Sequence, residues 1–230
     1  MTRFILVFFL AFSLNTLAIA ESNLIDKVQQ VENSVVEVKT ELVKVMNTES
    51  DLRKRVVTFE RTAAGLIIDP RGIIVTNTHT IVHAPFIFII LKDGTRLPAE
   101  LLYVSPTYDF SFLLVHPPHP LKPIKWADSS TIALEQPIVA IGNSSFNEQA
   151  LLGGKIKSIF QSITTKDNEF LELDIDLYHG DSGGPILDYN GRLVGIIMAK
   201  AKSEERRSFA LAVNKIHEQY LQYKYKAQLP

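Results

Sequence analysis

Short apolar runs separated by turn signals fill most of this 230-residue chain. The runs are rich in Val, Ile, Leu and Phe, and Asp93-Gly94 between two of them favours a β-hairpin. Such spacing is typical of an all-β protein. The predicted strands are, in chain order, 34–39, 55–59, 65–68, 73–76, 86–92, 96–104, 111–116, 137–141, 151–160, 171–175, 184–188, 193–199 and 208–213.

Two other segments have apolar residues at helical spacing. Residues 22–33 predict a short lead-in helix, and residues 214–226 predict an amphipathic helix near the C-terminus. The inward face of the second helix is expected to carry Ile216, Tyr220 and either Tyr223 or Leu221.

A proline-rich stretch divides the strand pattern into two halves of similar size. Residues 116–123 read HPPHPLKP, with four prolines in eight residues. Proline lacks a backbone N–H and cannot lie inside a helix or a central strand. The sequence therefore predicts a linker here.

The first twenty residues have the pattern of a secretory signal peptide. Arg3 is their only charge, an apolar run extends from Phe4 to Leu14, and Ala18-Ile19-Ala20 fits the small-x-small cleavage pattern. The apolar run is shorter than the ~20 residues that span a bilayer. We therefore expect residues 1–20 to be removed rather than to remain as a membrane anchor. The protein would then be exported to a bacterial periplasm or the extracellular space, without stable insertion in a membrane.

Composition argues against several classes of partner and site. Lys and Arg number 24 against 25 Asp and Glu, for a net charge of −1. Nucleic acid and anionic membranes bind basic surfaces, so neither is expected as the main partner. The absence of cysteine excludes a disulfide scaffold, a Cys-ligated zinc and a thiol nucleophile. No metal or other cofactor is expected.

The sharpest chemical signal is the string GDSGGP at Gly180–Pro185. A serine among glycines on a tight turn exposes its hydroxyl and leaves backbone N–H groups that could face a developing oxyanion. The hydroxyl becomes nucleophilic only with a base that accepts its proton and an acid that orients the base. His79, at the end of a predicted strand, and Asp109, just before another, are the candidates for these two roles.

These residues resemble the motifs of the trypsin-like serine proteases, and most closely the protease domain of the HtrA/Deg group. The resemblance covers about residues 30–215, nearly all of the predicted mature chain. No PDZ domain is expected after it, because few residues follow the last matching strand. The other matching stretches are 65–72 (GLIIDPRG), 76–79 (TNTH), 140–143 (AIGN), Asp174 and 209–214 (FALAVN).

The resemblance implies a role for each matched residue. Ser182 would be the nucleophile, His79 the general base and then general acid, and Asp109 the acid that holds the His79 tautomer. Backbone N–H groups of Gly180 and Ser182 would form the oxyanion hole. The implied activity is that of a serine endopeptidase that acts on proteins or peptides through an acyl-enzyme.

The resemblance also implies a fold, with two six-stranded antiparallel β-barrels of the chymotrypsin type and the site between them. The expected segments after the signal peptide are a lead-in at 21–33, a first barrel at 34–116, a linker at 117–124, a second barrel at 125–213 and a C-terminal helix and tail at 214–230. By analogy with HtrA proteins, residues 21–33 are candidates for forming a homo-oligomer.

Two residues are candidates for substrate binding. Asp176 lies six residues before Ser182, where a carboxylate in trypsin-like enzymes selects Lys or Arg, although the HtrA group does not use this position in that way. His179 precedes Gly180 and could line the cleft or lie on the surface.

The sequence departs from the HtrA pattern in two places. Ala63-Ala64-Gly65 stands where the group usually has Gly-Ser-Gly, and Asp181 stands where it usually has Asn. The Asp form is similar to the trypsin and chymotrypsin branch.

Two other interpretations stay open. The spacing of Gly180, Ser182 and Gly184 also fits the nucleophile elbow of α/β-hydrolases, although that class needs its histidine after the serine and only His217 follows. A catalytically silent protease-like module that binds peptides or partners would have the same sequence pattern.

Overall fold

The computed structural model describes residues 30–47, 54–142, 150–164, 167–177, 180–200 and 207–227. The predicted signal peptide and most of the predicted lead-in helix lie outside these ranges, and residues 30–32 are helical. Within the described ranges, no helix has both the length and the apolar character needed to cross a bilayer.

Antiparallel strands dominate the described residues, which confirms the all-β class. A one-turn helix, α1 (Thr78–Ile81), interrupts them, and α2 (Val213–Lys226) follows the last strand. The strands are β1 (Val35–Asn47), β2 (Lys54–Asp69), β3 (Ile73–Thr76), β4 (Phe86–Ile90), β5 (Arg96–Pro98), β6 (Glu100–Val104), β7 (Ser111–Leu114), β8 (Pro137–Gly142), β9 (Ala150–Gln161), β10 (Asn168–Leu173), β11 (Pro185–Leu187), β12 (Leu193–Lys200) and β13 (Ser208–Ala212).

The first seven strands form one sheet in the order β5-β4-β1-β2-β3-β7-β6. Its two edge strands, β5 and β6, are consecutive in the chain and are separated only by Ala99. One bent segment therefore connects the two edges of the sheet. The sequence predicted a single strand over 96–104, which is divided at Ala99 into β5 and β6. The first half thus forms one sheet of seven strands, where the resemblance implied a six-stranded barrel. The Ala99 N–H donates to the carbonyl of Ile87 at 2.9 Å, so the bend stays bound to β4.

The last six strands form a closed barrel in the order β10-β13-β12-β11-β8-β9, as predicted for the second half. Alternate residues of its strands point inward and are buried, which gives this barrel its own apolar interior. Members of that interior include Ile138, Ile156, Leu171, Leu173, Ile186, Ile197 and Ala210. Every pairing between the named strands is antiparallel, so the α/β-hydrolase interpretation, which requires a parallel sheet, is wrong.

A second buried cluster lies between the two halves and contains residues from both. Close-packed apolar side chains resist sliding, so this cluster fixes how the halves face each other. The first sheet contributes Leu66, Val75, Phe110 and Phe112, and the barrel contributes Val139, Ile141, Leu193, Ile196 and Leu211.

Helix α2 contacts both halves. Its Ile216 and Tyr220 are buried, as predicted, and the choice left open by the sequence falls on Tyr223, which packs against the cluster while Leu221 is exposed. The Tyr220 ring lies 5.8 Å from that of Phe112 in β7. The ring of His217 stacks on Trp126 at 4.7 Å.

A buried carboxylate binds the helix to the first sheet. The Tyr220 hydroxyl donates to Oδ2 of Asp69, at the end of β2, at 2.5 Å. The Arg71 side chain donates to the same carboxylate through Nε and Nη2, both at 2.8 Å. The hydrogen bonds from Arg71 hold the pKa of Asp69 far below its usual value; burial opposes them and the Tyr220 hydroxyl adds to them.

Tyr220→Phe should destabilise the fold, because it keeps the packed ring and removes one hydrogen bond to an ionised carboxylate. We expect the free energy of unfolding to fall by about 1.5 kcal/mol at pH 7, measured by chemical denaturation. The matched control is Tyr225→Phe, since the Tyr225 side chain is 87% exposed. It should change the unfolding free energy by less than about 0.5 kcal/mol.

The Tyr220 contribution should also depend on pH. The folded-state pKa of Asp69 is depressed, so its stabilising effect is complete above the unfolded carboxyl value of ~3.9 and is lost as the pH falls through the folded value. The gap between wild type and Tyr220→Phe should therefore shrink below about pH 4. A loss no larger than that of Tyr225→Phe at pH 7 would contradict this account.

Candidate active site

Strand register brings His79 and Asp109 together. β3 and β7 pair with Thr76 opposite Ser111. His79 follows β3 on the one-turn helix and Asp109 precedes β7, so both lie at the same edge of the sheet. The His79 N–H donates to Oδ1 of Asp109 at 2.9 Å, and His79 Nδ1 lies 2.5 Å from Oδ2.

Neighbouring polar side chains hold this pair in place. Nδ2 of Asn77, a residue with no exposed surface, donates to the main-chain carbonyl of Asp109 at 2.9 Å. The hydroxyls of Thr78 and Ser111 lie 2.8 Å apart. No role was predicted for Asn77, Thr78 or Ser111 from the sequence, although the run of polar residues around His79 was a usable signal.

The charge state of Asp109 determines which nitrogen of His79 can accept a proton. Partial burial pushes the pKa of Asp109 up, but the hydrogen bonds from the His79 ring and backbone outweigh it, and the net shift is downward. Asp109 is therefore ionised at neutral pH and can only accept hydrogen bonds. A neutral His79 ring then carries its proton on Nδ1, which leaves Nε2 as an acceptor.

The turn that carries Ser182 depends on its glycines. The Gly184 N–H donates to the carbonyl of Asp181 at 2.9 Å and closes the turn. Gly180 and Gly183 have φ angles of 103° and 83°, a region that favours glycine. The Gly183 N–H donates to Ile197 in β12 at 2.9 Å, and Ser182 itself is half-buried.

Asp181 is fully buried beneath this turn. A Cβ atom added at Gly142, the last residue of β8, would lie 2.8 Å from its Oδ1. The lack of a side chain at Gly142 therefore makes room for the Asp181 carboxylate.

The Ser182 turn contacts the sheet that carries His79. The Ala64 N–H in β2 donates to the carbonyl of Ser182 at 2.8 Å. The Thr76 hydroxyl donates to the carbonyl of Ala64 at 2.7 Å, and Thr76 lies three residues before His79. The Ser182 turn therefore lies against the part of the first sheet from which the chain leads to His79.

The two candidates for substrate binding have different outcomes. Asp176 is described and exposed, while its neighbour Leu177 is buried. A place for Asp176 in a substrate pocket that selects Lys or Arg stays a prediction. His179 lies outside the described residues.

Comparisons with known proteins give a consistent result. A family described as "Trypsin-like peptidase domain" matches residues 63–196. The chain is 31% identical over 141 residues to the periplasmic serine endoprotease DegP of Escherichia coli K12, which covers 60% of this chain and 30% of DegP. It is 31% identical over 162 residues to the periplasmic pH-dependent serine endoprotease DegQ of the same organism, over 68% of this chain and 36% of DegQ. The chain therefore spans about a third of the length of these relatives.

Solved structures show the same fold. The HtrA-type protease AlgW with a decapeptide superimposes with a TM-score of 0.73 at 20% identity, over 87% of this chain and 67% of that one. A variant of the same protease gives a TM-score of 0.75 at 21% identity, over 88% and 67%. The chymotrypsin-like fold implied by the sequence resemblance is confirmed.

Removing the His79 ring should raise the pKa of Asp109. In His79→Ala the burial that raises this pKa remains largely in place, whereas the side-chain hydrogen bond that lowers it is gone. Carbon-13 NMR titration of the side-chain carboxyl would measure the change. His116→Ala, which removes a ring that is 76% exposed, should leave the Asp109 titration as in wild type. An Asp109 pKa that stays the same or falls in His79→Ala would show that the ring does not set it.

Proposed function

This chain belongs to the trypsin-like peptidase domain family, and from that premise we propose that it is an exported serine endopeptidase of the HtrA type. The observation that carries the proposal is the pair of His79 Nδ1 and Asp109 Oδ2, 2.5 Å apart, together with a Gly-Asp-Ser-Gly-Gly turn that is hydrogen-bonded to the same sheet. An imidazole oriented by a carboxylate is what a serine nucleophile requires.

In the proposed first step, Ser182 Oγ attacks the carbonyl carbon of a peptide bond. The Oγ proton passes to His79 Nε2, and a new C–O bond forms as the carbonyl π electrons move to the oxygen. Asp109 keeps the ring in the tautomer that has Nε2 free and stabilises the imidazolium that forms. It does so through the two hydrogen bonds from His79 N–H and Nδ1.

In the second step, the C–N bond breaks and His79 returns the proton to the leaving amine. The carbonyl reforms as an ester of Ser182. Water then attacks this acyl-enzyme, with His79 taking its proton and later giving a proton back to Ser182 Oγ. The cycle returns Ser182 and His79 to their starting protonation states.

The developing oxyanion would be stabilised by the N–H groups of Gly180 and Ser182. The N–H groups of Gly183 and Gly184 donate within the fold, to Ile197 and Asp181. The positive φ of Gly180 is the backbone feature that would turn the adjoining peptides toward the cleft.

Protein or peptide substrates and export follow from the same premise. DegP and DegQ are periplasmic serine endoproteases by name, and the first twenty residues of this chain have the pattern of a signal peptide. We propose the periplasm as its compartment and proteins or peptides as its substrates. A homo-oligomer remains a prediction, as do the roles of Asp176 and His179.

A fluorophosphonate probe separates a working enzyme from a catalytically silent module that only binds peptides. The probe reacts with an activated serine, so wild type should be labelled and Ser182→Ala should not. Ser162→Ala, which removes a serine from the turn after β9, is the matched control and should label as wild type does. Absence of labelling in folded wild-type protein would favour the silent module.

Asp109→Asn should slow peptide cleavage by about 10⁴-fold while the protein stays folded, because an amide lets the ring adopt the wrong tautomer. Cleavage of fluorescently labelled casein gives the rate, and circular dichroism checks the fold. Asp93→Asn in the exposed β4–β5 hairpin is the charge-matched control. If Asp109→Asn kept more than about a tenth of wild-type activity, Asp109 would not be the orienting acid.

A further inference from the structure

Ala64 is the residue through which the nucleophile turn contacts the first sheet. Its N–H donates to the carbonyl of Ser182 at 2.8 Å, across the boundary between the two halves. Ala64 has no exposed surface, so water does not compete for this bond. Ala64 therefore holds the main chain of the proposed nucleophile from the side of the first sheet.

Thr76 in turn holds Ala64. Its hydroxyl, with no exposed surface, donates to the Ala64 carbonyl at 2.7 Å. A hydroxyl has one proton to donate, and this bond uses it. Thr76 ends β3, and its position opposite Ser111 in β7 fixes it within the sheet.

Gly183 shows how closely the halves approach at this point. A Cβ atom at Gly183 would lie 2.1 Å from the Ala64 carbonyl oxygen and 2.9 Å from Thr76 Oγ1. The residue after Ser182 thus lies directly against the Thr76–Ala64 hydrogen bond. A movement of Ala64 by a fraction of an ångström would be transmitted to the turn, because close-packed atoms leave no slack.

We propose that Thr76 is a positioning residue that sets the placement of the Ser182 nucleophile relative to the His79 base. Thr76 lies three residues before His79 in sequence, and Ala64 connects it to Ser182. The buried Thr76 hydroxyl therefore connects the strand that leads to His79 with the turn that carries Ser182. The proposal rests on the serine endopeptidase function proposed above.

Thr76→Val and Thr76→Ser separate the hydroxyl from the rest of the side chain. Valine keeps the shape and leaves the Ala64 carbonyl buried without its donor. Serine keeps the donor and loses the methyl group. The matched control is Thr40→Val in β1, since Thr40 is also buried in this sheet and its hydroxyl contacts a strand carbonyl, that of Arg61, at 3.5 Å.

The readouts are the second-order rate constant of fluorophosphonate labelling, kcat and KM on labelled casein, and the thermal midpoint. We expect Thr76→Val to lower the labelling rate and kcat by at least about tenfold with KM nearly unchanged, since a displacement of ~1 Å can cost ~100-fold. Thr76→Ser should stay within about threefold of wild type. Thr40→Val should label at the wild-type rate even if its midpoint falls as far as that of Thr76→Val.

The labelling rates test the positioning role of Thr76 and the proposed function separately. Wild-type labelling by a folded Thr76→Val, or a Thr76→Ser loss as large as tenfold, would overturn the positioning role and leave the proposed function intact. If Thr76→Val does not fold, a tenfold loss of the labelling rate in Thr76→Ser would still overturn the positioning role. A wild type that does not label would overturn the proposed function, and the positioning role with it.

Discussion

The boundary between the two halves is the constraint on which the proposed chemistry depends. A serine hydroxyl is a weak nucleophile unless a base lies within hydrogen-bond distance. The proposed nucleophile, Ser182, belongs to the half that forms the barrel, whereas the proposed base, His79, belongs to the half that forms the first sheet. The apolar cluster that contains residues of both halves holds the halves together. Because apolar packing is not directional, it does not by itself fix the orientation of individual side chains. A directional contact at the Ser182 turn is the hydrogen bond from the Ala64 N–H to the Ser182 carbonyl, and the Thr76 hydroxyl holds Ala64 on the side of the first sheet.

Helix α2 also contacts both halves, at a different position from the Ser182 turn. Its Tyr220 binds the Asp69 carboxylate of the first sheet, while His217 stacks on Trp126 ahead of the barrel. A helix attached to both halves limits their relative rotation. The buried carboxylate is tolerated there because Arg71 and Tyr220 satisfy it with good geometry.

Much of the fold could be predicted from the chain because local patterns were clear. Strand 73–76 was predicted with the bounds that β3 has, and the GDSGGP string identified the Ser182 turn. Residues 55–59 and 65–68 were predicted as separate strands, whereas β2 runs unbroken from Lys54 to Asp69. The polar residues between them interrupt the apolar pattern, but pairing with β1 continues through them, and Lys39 forms an ion pair with Glu60 at 3.3 Å.

The contacts around the site are long-range and could not be predicted from spacing. Thr76 and Ala64 lie in stretches that were compared with the HtrA pattern, but their spacing predicts no contact between them. The contacts of both residues follow only from the strand register, which sets them beside Ser182. The exposure of Asp176 is likewise a property of tertiary structure. Family motifs indicate the candidate residues His79, Asp109 and Ser182. The long-range contacts that position these residues are seen only in the folded chain.

The most direct measurement is a crystal structure of the protein after treatment with diisopropyl fluorophosphate. We expect a phosphoryl group on Ser182 Oγ, with one of its oxygens about 3 Å from the N–H groups of Gly180 and Ser182 and with His79 Nε2 beside the ester oxygen. An unmodified Ser182 whose Oγ lies more than ~5 Å from His79 Nε2 would contradict it.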